Sequence, residues 1–66
     1  MTPTTEITLM SGDHYRVQGE VKAVERSILD AARGSIMEFA WLTEVESGEL
    51  IGVNPESVAI LRAINS

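Results

Sequence analysis

The chain has no cysteine. That removes disulfides and thiolate metal sites as staples for a small fold. His14 is the only histidine, so the usual donors of a structural zinc are missing, and no metal or cofactor is expected. Basic side chains are scarce. Five Lys and Arg stand against ten Asp and Glu, for a net charge of −5. Those five (Arg16, Lys22, Arg26, Arg33, Arg62) are scattered along the chain. Nucleic acid and anionic membranes are bound by clustered cations that neutralise phosphates, so neither partner is expected. Uncharged runs fall far short of the roughly 18 residues that span a bilayer. No basic start followed by an apolar run marks a secretory leader, and a cytoplasmic protein is the expectation. Aromatics are few: one Phe, one Trp and one Tyr.

What is present is 66 residues with 44% hydrophobic content, enough for a folded chain and for one domain at most. A chain this short buries only about 60% of its unfolded surface. Association with another chain is then a common route to stability.

Met1–Thr5 reads as an unstructured tail, leaving 6–66 as one domain. Ile7 and Leu9 alternate with Glu6, Thr8 and Met10, which predicts a half-buried strand. Ser11-Gly12-Asp13 is turn chemistry, and Tyr15 and Val17 alternate beyond it. The two runs make a hairpin. From Glu20 to Arg33, Val21, Val24, Ile28 and Ala31 recur at helical spacing, with Arg26 and Asp30 placed as an exposed pair and Gly34 as the stop. Residues 36–45 read as a central strand with apolar residues of both parities. A second turn, Glu46-Ser47-Gly48-Glu49, leads to a return strand over Leu50–Val53, where Gly52 suggests a bulge or a close approach. Asn54-Pro55-Glu56 has the chemistry of a helix start. A single helical turn at 55–58 and a last strand over 59–64 suit the Val and Ile that follow better than a longer helix does.

One segment is echoed. Ser11-Gly12-Asp13, Tyr15, Val17, Glu20, Ala23 and Val24 return as Ser47-Gly48-Glu49, Ile51, Val53, Glu56, Ala59 and Ile60. The recurring positions are those of turn, alternation and helix start. They repeat an architecture and not a reaction.

The groups that could carry chemistry have simpler readings. Glu44, Glu46 and Glu49 lack the spacing of a calcium loop and suit a solvated hairpin. His14 falls on the outward parity of a strand, with no nucleophile linked to it. SGD and SGE each open a strand and not a helix, unlike phosphate loops. Arg33-Gly34-Ser35 suits a helix stop. No catalytic set emerges, and the chain is not expected to be an enzyme. Phe39 and Trp41 lie on one parity of strand 36–45. The core is the stronger reading for them, since so small a domain needs its aromatics; exposed, they would form an interaction patch. On either reading the opposite parity is also apolar, so this strand needs cover. Ile36, Met37, Phe39, Trp41 and Leu42 are therefore the candidate interface.

The closing segment GVNPESVAIL (52–61) resembles one found in several small bacterial proteins, including the flagellar FlbD type. In these a strand ends in V-N-P, makes one helical turn and closes with another apolar strand. The chain as a whole is similar to small bacterial proteins of hairpin–helix–hairpin build. The resemblance implies a fold and a bacterial cytoplasmic setting, and it carries no catalytic residue.

The sequence thus predicts an α+β domain: an antiparallel sheet of four or five strands in the order β-β-α-β-β-β, with one amphipathic helix on a face. The expected core is Ile7, Leu9, Tyr15, Val17, Val21, Val24, Ile28, Phe39, Trp41, Ile51, Val53, Val58 and Leu61. The expected function is a non-enzymatic protein–protein interaction module that associates with itself as a homodimer. Two rivals are a small Sm- or SH3-like barrel binding nucleic acid, which the charge disfavours, and a carrier of a small ligand in a site shared between subunits.

Overall fold

In the computed structural model, which describes residues 3–34 and 38–64, two similar hairpins flank one helix. Strands β1 (Thr4–Leu9) and β2 (His14–Gln18) precede helix α1 (Val21–Ala32). Strands β3 (Ala40–Thr43) and β4 (Leu50–Val53), a 3-10 turn (Pro55–Ser57) and strand β5 (Val58–Ile64) complete the chain. This is the α+β order that the sequence predicts.

The strands form antiparallel sheets, β2-β1-β5 and β3-β4. An antiparallel bridge between Val17 and Glu44 joins them, and Val45 N–H donates to the Arg16 carbonyl at 2.8 Å. The spatial order is therefore β4-β3-β2-β1-β5, with the β2/β3 seam held by little more than that bridge.

The first strand starts earlier than the alternation suggests. Thr4 and Thr5 belong to β1 and not to a tail. Thr5 is fully buried opposite Val17, and its hydroxyl donates to the Gly19 carbonyl at 2.9 Å, which satisfies a polar group that the core otherwise could not hold. At the other end, the helical turn and last strand fall where the sequence places them. Asn54 caps the turn by accepting the Glu56 N–H at 3.0 Å.

Helix α1 buries Val24, Ile28 and Ala31 and packs against β1, β3, β5 and the 3-10 turn. Glu20 and Arg33 stand at its two cap positions, just outside the helical turns. Arg33 N–H donates to the Leu29 carbonyl, and Gly34 N–H to that of Ala31. The ion pair on its outer face is Lys22 with Glu25, 3.8 Å apart, and not the expected Arg26 with Asp30.

The core consists of Ile7, Val17, Val24, Ile28, Ala31, Ala40, Leu42 and Val53, with Leu9, Ile51, Val58 and Leu61 partly buried against it. Four expected core residues are not in it: Tyr15, Phe39 and Trp41 are exposed, and Val21, at the start of the helix, is only partly buried and outside the cluster. For Phe39 and Trp41 the reason lies in β3, whose buried residues are Ala40 and Leu42. The helix that packs on β3 contributes Ala31 to the same cluster, so small and medium side chains fill the space between them.

Candidate interaction surface

The parity of β3 decides the surface. With Ala40 and Leu42 turned in, Trp41 and Thr43 are turned out. The register sets Trp41 opposite Gly52 and Thr43 opposite Leu50. Phe39 precedes the strand, and its ring meets that of Trp41 edge to face, with centroids 6.2 Å apart and planes at 64°. Phe39 is 54% exposed, Trp41 61% and Leu50 63%. Together they make an apolar patch on the side of the β3–β4 hairpin away from the core.

Gly52 gives the indole its seat. A Cβ at this position would come within 3.1 Å of Trp41 Cζ3 and 3.3 Å of Phe39 Cβ. The close approach that the sequence suggests for Gly52 is thus an aromatic ring lying across a strand glycine.

Of the five candidate interface residues, the structure brings Phe39 and Trp41 together. Leu42 is only 7% exposed and belongs to the core, because it shares the inward parity with Ala40. Ile36 and Met37 lie outside the described residues. Leu50 was missed from the sequence. Pairing β3 and β4 across the second turn would have found it, opposite Thr43.

The other sequence candidates serve the turns. Ser47 donates to a Glu44 carboxylate oxygen at 2.6 Å and accepts the Glu49 N–H at 3.2 Å. In the first turn Ser11 likewise accepts the Asp13 N–H, at 3.4 Å. Gly12 and Gly48 both adopt positive φ, +96° and +72°. Among the described residues, no three His, Asp or Glu converge as metal ligands would. His14 opens β2 on the surface and shares a polar recess of about 270 Å3 with Glu6, Arg16, Glu44 and Glu46. An apolar groove of about 280 Å3 adjoins the aromatic patch, between Leu9, Tyr15, Phe39, Ile51 and Val53. It is just below the ~300 Å3 at which small-molecule pockets begin.

Among the described residues, no helix is long and apolar enough to cross a membrane. No protein-family model, curated protein or solved structure matches the chain.

Proposed function

We propose that this chain is a non-enzymatic protein–protein interaction module that also associates with itself. The observation that carries the interaction-module reading is the exposed aromatic pair, Phe39 and Trp41, seated over Gly52 beside Leu50; self-association is added because so short a chain buries little surface alone. A domain with so few large side chains leaves its only Phe and only Trp outside. Aromatic residues in a contiguous exposed patch are the typical anchors of a protein interface. The patch lies next in sequence to Glu38 and Glu49, so a partner with an apolar centre and basic margins suits it.

The same rings could stack on bases, and the strand order β4-β3-β2-β1-β5 is one that small barrels use. The flanking carboxylates and the net charge of −5 make the patch a poor site for a phosphate backbone. A small-ligand site shared between subunits would need the 280 Å3 groove to be extended by a second chain.

Sedimentation equilibrium from micromolar to hundreds of micromolar tests the self-association. A strict monomer throughout removes that part and leaves a different protein as the partner. Trp41 is the sole tryptophan, so its emission across the same series reports whether a second copy covers the aromatic face. A blue shift on association means that it does.

A further inference from the structure

We propose that the second copy docks edge to edge through β5, pairing antiparallel with β5 of its partner about a two-fold axis. This rests on the self-association reading above and gives it a place. The pair would join the β2-β1-β5 sheets of two molecules into one sheet of six strands.

The first observation is an open edge. β1 occupies one edge of β5 along its length. Among the described residues, no strand and no backbone hydrogen bond meets the other edge. β5 is seven residues long, Val-Ala-Ile-Leu-Arg-Ala-Ile. Ala59, Ile60, Arg62 and Ala63 are exposed. Proteins that stay monomeric blunt such edges with proline, lysine, inward charges or short strands. β5 is not short and has no proline or lysine; its irregularities are one charge, Arg62, and a bulge at Ala59, where the pairing with β1 shifts register. The comparison is β4, at the far end of the strand order: it has four residues, follows Glu49 and is soon ended by Pro55.

The second observation is charge. Two molecules of net charge −5 repel each other over most of their surface. Residues 57–64 contain no Asp or Glu, and their single charge is Arg62, whose guanidinium is 3.9 Å from Glu6 on β1. The β5 edge is therefore a long stretch of backbone where two acidic molecules can meet without opposing carboxylates.

The third is register. Centring the pair on Leu61 puts Ile60–Arg62 at its middle, with the bulge at Ala59 towards one end. Leu61 then faces Leu61 of the second copy and Ile60 faces Arg62. Shifting the centre to Arg62 would set two guanidinium groups directly opposite each other, which is unfavourable. The Leu61-centred register keeps the two cations apart. The contact uses the edge of β5 and none of Phe39, Trp41 or Leu50.

The test uses the full chain and the charge at position 60, whose side chain is half exposed. In the proposed register, Ile60→Lys puts an ammonium opposite Arg62 of the second copy, twice per dimer. Its dimer dissociation constant should rise roughly tenfold or more. Ile60→Glu puts a carboxylate there instead and should leave the constant within about twofold of wild type. Circular dichroism of both variants checks that they fold. Trp41→Ser should leave the dimer intact, and wild-type Trp41 emission should not shift as the dimer forms. Three results would each overturn the β5 contact. One is equal dimerisation by the Lys and Glu variants. Another is loss of the dimer in Trp41→Ser, which would leave self-association standing but move it to the aromatic face. The last is a wild-type monomer at every concentration, which would remove self-association as well.

Discussion

Two residues, Gly52 on the exposed face and Thr5 in the core, show what each side of the sheet tolerates. Gly52 carries no side chain because Trp41 occupies that space. Gly52→Ala must push the indole away by a few tenths of an ångström, and an exposed ring can yield. The expected outcome is a weakened near-UV circular dichroism signal as the Phe39–Trp41 contact loosens, with stability changed by no more than about 1 kcal/mol. An unchanged aromatic signal would show that the ring is not seated on the glycine. Thr5 tests the opposite case, a polar group in the core. Thr5→Val keeps its shape but leaves the Gly19 carbonyl without its donor, and should cost about 1–2 kcal/mol in urea unfolding. A variant as stable as wild type would show that water replaces the hydroxyl.

At the scale of elements, the echo in the sequence is a repeat in the fold. Thr5 opposite Val17 and Ile7 opposite Tyr15 in the first hairpin correspond to Ala40 opposite Val53 and Leu42 opposite Ile51 in the second. Thr5, Ile7 and Val17 are buried in one, Ala40, Leu42 and Val53 in the other. The turns, the helix, the N-P-E start and the last strand were legible because each depends on local chemistry. The parity of residues 39–42 was not, because both parities are apolar and hydrophobicity alone favours burying the larger pair. Packing against α1 favoured the smaller one. Following the echo back through its turn into the preceding strand would have set Ala40 beside Val53 and inward. The first strand was misjudged at Thr5 for a related reason: nothing local says that a threonine hydroxyl will find a carbonyl across the hairpin. Helix α1 gives a direct measure of which contacts hold these units together. Ile28→Ala should cost about 2–5 kcal/mol, enough to unfold much of a domain this small. Lys22→Ala, which removes one exposed ion pair, should change stability by less than about 0.5 kcal/mol. Comparable losses from both would mean that the helix is not anchored by its apolar stripe.

For the whole molecule, charge separates the rival functions through the sign of one dependence. Two chains of net charge −5 must approach for β5 to pair with β5. Salt screens that repulsion, shortening its range from about 30 Å at 0.01 M to about 8 Å at 0.15 M. Self-association should therefore tighten several-fold between those concentrations, while the Lys22–Glu25 and Arg62–Glu6 pairs, both partly in solvent, weaken too little to offset it. Nucleic-acid binding has the opposite slope, because salt competes with the protein's cations for phosphate. Sedimentation of the protein alone, and fluorescence anisotropy of a labelled single strand in its presence, can be run over one salt series. A dimer that strengthens with salt, together with a strand that stays free at every concentration, supports the interaction module. A strand bound at low salt and released at high salt would make the Phe39–Trp41 pair a base-stacking platform, in spite of the carboxylates around it.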